Sequence, residues 1–318
     1  MKGLTEIPGI RVGHISDYDA VTGCTAILCE QGAVGGVDIR GSASGTEDTL
    51  ALDPGHVDAQ VHAILLAGGS AFGLEACSGV RRYLERRGVG VSFGGAHIPI
   101  VAGAILFDLA IGKPDVRPTL SMGEAAAAAA STDAVAEGCV GAGTGATVGK
   151  ILGMKQAMKS GLGSATVALP GGVLVATLAA VNALGDVRDP ATGKILAGAR
   201  QAPDSREFLN TAEFIKHRGA ATPAPPKNTT LVVVATNARL SKVQAKKLAE
   251  FGSLGTARTI DPVNTMADGD LVFALSAGAL EADINALGAA AAEAVSAAIV
   301  RAVKSAKPMG GLPAWGTL

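Results

Sequence analysis

This sequence of 318 residues has few aromatic residues, almost no net charge and only four cysteines. Only 3% of the residues are aromatic, and the net charge at pH 7 is −1 with no basic run. This charge balance argues against nucleic acid or an anionic membrane surface as the main partner. The four cysteines form no C-x-x-C pair and have small or apolar neighbours, so we expect them to be buried free thiols.

Further absences exclude other classes of protein. The first residues carry charge but no apolar segment of the kind found in secretory signals. No run of about 18 residues is apolar without breaks, so we expect no membrane span and a soluble, cytoplasmic protein. The five histidines lack the H-x-x-x-H and H-E-x-x-H spacings of zinc sites, and neither a metal nor a cofactor is predicted. No G-x-S-x-G motif offers an anchor for an α/β-hydrolase triad.

One glycine-rich run, from Gly143 to Lys150, approaches the spacing of a P-loop. Thr144 stands where that motif needs a glycine, and Ile151 stands where it needs the Ser or Thr that holds Mg²⁺. We therefore interpret the run as a tight turn and not as a nucleotide site.

Small apolar residues are abundant. Hydrophobic residues make up 48% of the chain and there are 43 glycines, which indicates a large core with closely packed backbone. Val61–Ala67 is predicted to be a strand that runs through a glycine turn into a helix at Leu74–Arg87. Ala165–Ala183 is predicted to be a hairpin that turns at residues 170–172. Strands and helices do not alternate strictly, which favours an α/β layered sandwich over a Rossmann sheet.

Other segments have less regular patterns. Gly32–Pro54 is rich in Gly, Ser and Asp and is expected to form long loops around short strands. Ile98–Leu109 is expected to be a buried strand pair or hairpin around Gly103. Ser121–Glu137 contains six consecutive alanines and predicts a helix. Asp186–Pro226 is the candidate for a mobile connection.

Two helices are predicted near the C-terminus. Ser241 and Gln244 have the spacing of a capping box, which predicts the start of the first helix. Apolar residues recur at helical spacing from Ile284 to Ile299, which predicts a long final helix.

A proline-rich run, from Ala221 to Lys227, predicts an exposed loop because proline lacks a backbone donor and fixes φ. It leads to Thr230–Ala235, an uncharged segment typical of a strand buried on both faces. Thr229 therefore lies where a loop enters a core strand. If the Asn228–Thr229 bond is cut, the Thr229 hydroxyl becomes a nucleophile and its freed α-amine the local base. The alternative is ordinary turn chemistry.

Two acidic residues flank a glycine just before a later strand. Asp268 and Asp270 stand at i and i+2, so on an extended segment their carboxylates point the same way and could face one site. A polar turn before the strand is the alternative.

These motifs together resemble the nylon-oligomer endohydrolases, which belong with the DmpA-type L-aminopeptidase/D-esterases, a family of self-cleaving N-terminal-nucleophile-like hydrolases. The resemblance covers nearly the whole chain. It is carried by Gly35–Gly41, Leu66–Glu75, the glycine-rich run up to Lys150, Asn228–Thr230, Ala235–Leu240 and Asp268–Asp270. It implies an α/β fold of the four-layer αββα type. It also implies a single catalytic domain over residues 1–318, cut into 1–228 and 229–318, that assembles as a homo-oligomer, a tetramer.

Site residues follow from the same resemblance. It implies cleavage between Asn228 and Thr229, with Thr229 as the nucleophile. Asp268 and Asp270 are expected to orient and charge-stabilise its amine and hydroxyl, and the Asn-Thr site with this acidic pair resembles the oligoamide branch.

Two further positions match the family's site, and a third departs from it. Lys150 and Asn182 match the family's site lysine and asparagine, with Asn182 or a glycine-turn amide as a candidate oxyanion donor. Phe72, expected to bind substrate, departs from the tyrosine of the oligoamide branch and lacks its phenolic hydroxyl.

The implied activity is hydrolysis of linear amide bonds through a threonine acyl-enzyme, with 6-aminohexanoate oligomers of the nylon-6 type as substrates. An exo-acting aminopeptidase or D-amino-acid esterase-amidase of the same family is the first alternative. An ornithine-acetyltransferase-like acyltransferase is a second, although its Met-Ala-Thr-Met-Leu type of cleavage site is absent. A binding protein on an inactive scaffold is a third.

Overall fold

The structure is a computed structural model that describes residues 2–57, 60–218 and 228–317, so the loop predicted at Ala221–Lys227 lies outside the described residues. Within the described ranges the chain forms five α-helices and sixteen strands. The helices are α1 (Glu75–Glu85), α2 (Leu120–Ala128), α3 (Thr211–Arg218), α4 (Lys242–Thr259) and α5 (Ile284–Lys304). The strands are β1 (Arg11–Asp17), β2 (Thr22–Ile39), β3 (Thr46–Glu47), β4 (Val61–Ala67), β5 (Val91–Phe93), β6 (Ala96–Ile98), β7 (Val101–Ile105), β8 (Thr147–Val148), β9 (Met158–Lys159), β10 (Leu162–Leu169), β11 (Val173–Asn182), β12 (Asp186–Arg188), β13 (Ile195–Ala197), β14 (Thr229–Ala238), β15 (Ile260–Asp261) and β16 (Leu271–Leu280).

Nine strands are joined by hydrogen bonds: eight follow one another in the order β10-β11-β14-β16-β2-β4-β7-β3, and β1 pairs with β2 outside this order. β2 joins two sheets, because residues 22–28 pair with β1 and β4 whereas residues 34–39 pair with β16. β14 runs parallel to β16 on one side and antiparallel to β11 on the other. Thr229, the first residue of β14, therefore lies in the interior of a sheet.

Alternate residues of the central strands enter different apolar clusters. Leu231 and Val233 of β14 pack with Ile64 and Leu66 of β4, between the two sheets. Val232 packs on the opposite face against α4 and α5. On the outer face of the other sheet, residues of β4 and β7 pack against α1 and α2. Because successive strand residues point to opposite faces, the layers are helix, sheet, sheet and helix, which confirms the predicted αββα sandwich.

Glycines in β2 allow a helix to approach the sheet closely. A Cβ atom built on Gly36 would lie 2.3 Å from the backbone carbonyl carbon of Ala245 in α4. The prediction of long loops over Gly32–Pro54 is wrong for residues up to Ile39, because these glycines serve packing and not turns.

Three other predictions differ from the structure. Gly103 lies inside β7, paired in parallel with Leu65, and a Cβ there would lie 2.3 Å from Cys77 Sγ, so no hairpin turns at this glycine. α2 ends at Ala128, well before Glu137. The segment predicted as a mobile connection forms β12, β13 and α3 as far as Arg218.

Several local predictions are confirmed. Ser241 and Gln244 form the capping box at the start of α4, and β10 and β11 form the predicted hairpin. All four cysteines are free and buried. α5 is long and apolar enough to cross a membrane by length and composition, with a mean hydropathy of 1.6, but 67% of that window is buried inside the molecule.

Candidate active site

Thr229 is buried at the first position of β14, beside the carbonyl group of the residue before it. Its Oγ1 donates to the Asn228 carbonyl oxygen over 2.5 Å. The Gly269 N–H donates to the same oxygen over 2.7 Å. Two donors therefore polarise the carbonyl group of the bond that the sequence marks for cleavage, and the hydroxyl that would attack it is already adjacent.

Asn228 continues the parallel pairing of β14 with β16 by one residue. It forms a parallel bridge to Asp268, in which the Asn228 N–H donates to the Ala267 carbonyl over 2.9 Å. The two main-chain bonds, to Ala267 and Gly269, hold both ends of Asn228 in extended conformation.

The two predicted carboxylates lie on either side of Gly269, and both are buried. Asp270 accepts from the Thr230 N–H over 2.5 Å and from the Asn264 N–H over 2.9 Å. Asp268 accepts from the Thr265 N–H over 2.9 Å. Within the described part of the chain neither carboxylate bonds to the Thr229 hydroxyl. Main-chain amides and the Thr265 hydroxyl, which donates to Asp268 over 2.5 Å, therefore hold the acidic pair, and its expected role towards a freed amine stays a prediction.

Gly269 has no room for a side chain. A Cβ built on it would lie 2.8 Å from Thr229 Oγ1 and 2.8 Å from the Ala43 carbonyl oxygen. The loop that follows β2 also binds this segment, because the Gly41 N–H donates to the Asp270 carbonyl over 2.9 Å and the Ala43 N–H donates to the Asp268 carbonyl over 2.8 Å. The glycine-rich loop after β2 thus positions the acidic pair and its central glycine.

Lys150 and Asn182 are bonded to each other. The Lys150 Nζ donates to the Asn182 carbonyl oxygen over 2.9 Å and to its Oδ1 over 2.8 Å. Asn182 is the cross-strand partner of Thr229 in the β11–β14 pair. The structure therefore brings the predicted lysine, asparagine and threonine into one buried neighbourhood.

The side-chain amide of Asn182, a candidate oxyanion donor, is hydrogen-bonded to other parts of the chain. Its Nδ2 donates to the Phe107 carbonyl over 3.0 Å, and its Oδ1 also accepts from the Thr147 N–H over 3.0 Å. One of the two N–H donors of the Nδ2 group is thus used by the Phe107 carbonyl, whereas the Gly269 N–H already donates to the Asn228 carbonyl oxygen.

Burial governs the charges of this neighbourhood. It lowers the pKa of the Lys150 ammonium to about 7, against the opposing effect of Asp268, Asp270 and Asp108. Burial, and then the charge of Asp268, raise the pKa of the Asp270 carboxyl, which the Thr230 N–H and other donors oppose. A lysine that is partly uncharged at neutral pH can accept a proton, which an ordinary lysine cannot do.

Phe72 lies outside this buried neighbourhood. Its side chain is 59% exposed, and the Arg117 guanidinium stands 4.1 Å from the centroid of its ring. The two residues line a surface groove of about 360 Å³ with Asp115 and Pro118. Its expected contact with substrate stays a prediction.

Sequence reasoning proposed a glycine-turn amide as a donor without identifying Gly269, and it missed a second buried lysine. The Lys159 Nζ donates to the carbonyl oxygens of Ala146 over 2.7 Å and Ser160 over 2.8 Å, and more weakly to that of Gly143 over 3.3 Å. It thereby holds the turn before Thr147, whose amide positions Asn182. Neither contact leaves a local sequence signal. In the described residues no three His, Cys, Asp or Glu side chains come together in a way that could hold a metal ion.

Comparisons with known proteins identify the family of this chain. The model of peptidase family S58 matches residues 2–314. An uncharacterized aminopeptidase of Mycobacterium tuberculosis is 41% identical over 99% of this chain and 97% of its own length. A 6-aminohexanoate-oligomer endohydrolase of Kocuria sp. is 31% identical over 94% of this chain and 85% of its own length.

Solved structures share the fold. The L-aminopeptidase D-Ala-esterase/amidase of Ochrobactrum anthropi, described as a new variant among the Ntn hydrolase fold, superposes with a TM-score of 0.72 at 20% identity, covering 98% of this chain and 88% of that one. A β-aminopeptidase of Burkholderia sp. gives a TM-score of 0.69 at 24% identity, covering 99% and 90% of the two chains.

Proposed function

The chain belongs to peptidase family S58 and is a hydrolase of amide bonds, and from that premise we propose that it cleaves itself between Asn228 and Thr229 and then hydrolyses linear amides through an ester on Thr229. The observation that carries the proposal is the contact of 2.5 Å between Thr229 Oγ1 and the Asn228 carbonyl oxygen. That oxygen also accepts the Gly269 N–H, so charge that develops on it during attack is stabilised.

Self-cleavage needs a base other than an α-amine, because the nitrogen of Thr229 is still an amide. We assign this role to uncharged Lys150, which is held by the cross-strand neighbour of Thr229. Thr229 Oγ attacks the Asn228 carbonyl carbon while its proton passes to Lys150. The C–N bond then breaks, the nitrogen takes up a proton to become the α-amine, and an ester joins the two pieces. Water opens the ester and leaves a carboxylate on Asn228.

Turnover of a substrate repeats the same chemistry with the new amine as base. The Thr229 α-amine accepts the hydroxyl proton, and the amine of the substrate leaves with a proton as the acyl ester forms. Water then releases the acyl group as a carboxylic acid. Asp268 and Asp270 are proposed to hold the ammonium that forms during attack, since opposite charge stabilises it.

Self-cleavage is tested by mass spectrometry and a denaturing gel of the purified protein. We expect two fragments, of 228 and 90 residues, and a single uncut chain for Thr229→Ala. Thr230→Val is the matched control, because the Thr230 hydroxyl is buried without a hydrogen-bond partner in the described structure and valine keeps its shape and its backbone N–H. A protein that stays uncut, or a Thr229→Ala variant that is still cut, contradicts the proposal.

Two classes of acyl group are candidates for the substrate. Oligomers of 6-aminohexanoate are supported by the relative of that name and by the Asn-Thr and Asp-x-Asp motifs. Amino-terminal residues of peptides are supported by the relatives at 41% identity, which are named aminopeptidases. Endo and exo product patterns on a long oligoamide separate the two classes.

We also propose that the chain forms a homo-oligomer, with four copies as the expected number. The short hairpin of β5 and β6 supports an interface, because Val91, Phe93 and Ile98 are all exposed on it and exposed apolar patches mark association surfaces. Sedimentation analysis tests this, with the mass of one chain, 31.5 kDa, as the unit. A sedimenting species of one chain contradicts it.

A further inference from the structure

The backbone of Asn228 occupies a slot formed by two main-chain groups of the segment before β16. The Ala267 carbonyl accepts the Asn228 N–H over 2.9 Å, and the Gly269 N–H donates to the Asn228 carbonyl over 2.7 Å. The bridge between Asn228 and Asp268 is parallel. Both groups belong to residues 229–318, so they stay with Thr229 after the proposed cut.

The slot orients a carbonyl group towards the Thr229 hydroxyl. Thr229 Oγ1 contacts the Asn228 carbonyl oxygen, and a substrate carbonyl has to reach the same hydroxyl. The Gly269 N–H is the donor already directed at that position. The Ala267 carbonyl lies on the same strand edge, and in a parallel pair such groups bind the N–H and C=O of one residue.

Resting on the proposed function, we infer that Ala267 and Gly269 bind the acyl residue of a substrate as a short parallel strand once Asn228 has left. The Gly269 N–H donates to the oxygen of the carbonyl group that is attacked. The Ala267 carbonyl oxygen accepts from the substrate N–H one carbon before that group. This is strand addition limited to a single residue, in which main-chain bonds supply the affinity.

The geometry selects a substrate class. An α-aminoacyl group has its nitrogen one carbon from the carbonyl, as Asn228 does, and satisfies both groups of the slot. A 6-aminohexanoyl group has its nitrogen at the far end of a methylene chain, so it meets Gly269 but leaves the Ala267 carbonyl without a donor. Asn228 is held through an amide N–H, so acyl residues with an acylated nitrogen fit as well as those with a free amine.

The inference is tested with three p-nitroanilides and the purified, self-cleaved protein. The acyl groups are N-acetyl-L-alanyl, O-acetyl-L-lactoyl and 6-acetamidohexanoyl. The lactoyl compound is the matched control, because an ester oxygen replaces the N–H without added bulk. We expect kcat/KM for the alanyl compound to exceed that of each of the others by roughly tenfold or more, since an unmade hydrogen bond at a buried acceptor costs about that factor.

The outcomes separate this inference from the proposed function. If the protein cleaves itself and hydrolyses the alanyl and lactoyl anilides at equal rates, the slot is overturned and the function stands. A cleaved protein that hydrolyses the 6-acetamidohexanoyl compound best, or that leaves the alanyl compound intact, also overturns the slot. A protein that neither cleaves itself nor hydrolyses any anilide overturns the proposed function, and the slot with it.

Discussion

The main-chain N–H of Gly269 lies 2.7 Å from the carbonyl oxygen of Asn228, and both groups belong to the register of a parallel β-ladder. The pairing of β14 with β16 thereby places a hydrogen-bond donor on the carbonyl group that we expect Thr229 to attack. A backbone donor fixed by a sheet needs little rearrangement as charge develops on the oxygen. The site therefore depends on strand register as much as on side chains.

Gly269→Ala is expected to slow self-cleavage by about 100-fold or more, the effect of displacing one oxyanion donor. The new Cβ would lie 2.8 Å from both Thr229 Oγ1 and the Ala43 carbonyl oxygen, so hydroxyl and amide cannot both keep their places. Time courses of fragment formation measure the rate. Gly55→Ala is the control, because its Cβ meets only a side-chain oxygen of Asp53 at 3.2 Å. Equal rates for the two variants contradict this role of Gly269.

The rate of self-cleavage is expected to rise between pH 6 and pH 8. Lys150 has a pKa lowered to about 7 by burial, and only its uncharged form accepts the Thr229 proton, so the active fraction grows as pH increases through that value. Lys150→Met is expected to be roughly 100-fold slower and to lose this rise. Quenched samples of newly refolded protein give the rates. Lys155→Met is the control: it changes an exposed lysine and should keep the wild-type dependence of the cleavage rate on pH. If Lys150→Met also keeps that dependence, Lys150 is not the base.

Lys159→Met is expected to lower the free energy of unfolding by roughly 3 kcal/mol, because buried carbonyl groups lose their donor. The carbonyl oxygens of Gly143, Ala146 and Ser160 all accept from Lys159 Nζ. Denaturant unfolding in an uncut Thr229→Ala background measures the difference on a single chain. An unchanged midpoint contradicts the assigned contacts.

The stability that Lys159 contributes should also depend on pH. Burial lowers its pKa from 10.5 to about 8, so between these values the unfolded chain binds more protons than the folded one. Stability from this group is therefore complete above the unfolded pKa and is lost as pH falls through about 8. In the uncut Thr229→Ala background, the difference in free energy of unfolding between the chain with Lys159 and its Lys159→Met variant should grow from pH 7 to pH 10. A difference that stays constant or shrinks contradicts the predicted direction of the pH dependence.

Phe72→Tyr is expected to leave self-cleavage unchanged and to alter KM for amide substrates. The ring is exposed and stacks against Arg117, whereas the residues around Thr229 are buried. The added phenolic hydroxyl restores the group found in the oligoamide branch that this sequence resembles. Fragment formation and steady-state kinetics of the same preparation measure the two effects. A change in the cleavage rate argues against the peripheral position of Phe72.

Local sequence pattern is enough to mark several candidate site residues, which the structure brings near one another. The change from a proline-rich run to a core strand marks Thr229, and the spacing before another strand marks Asp268 and Asp270. The αββα layers followed from the resemblance of the motifs, and the capping box of Ser241 followed from residue chemistry alone.

The remaining features depend on tertiary register, which a single sequence does not display. The donor role of Gly269 requires β14 to pair with β16 from Asn228 onwards. The three carbonyl partners of Lys159 come from turns that fold around it. Gly36 and Gly103 resembled loop glycines because composition does not distinguish a turn from a strand against which another element packs closely.

The central position of β14 affects whether the cut protein could refold after it unfolds. If the bond before Thr229 is cut as proposed, the shorter piece still supplies β14 and β16 to the middle of a sheet whose neighbouring strands belong to the longer piece. Folding of the intact chain is unimolecular, whereas reassembly of separated pieces would be bimolecular and depend on concentration. The enzyme would then be folded once, as a precursor, and its persistence afterwards would be set by the rate of unfolding.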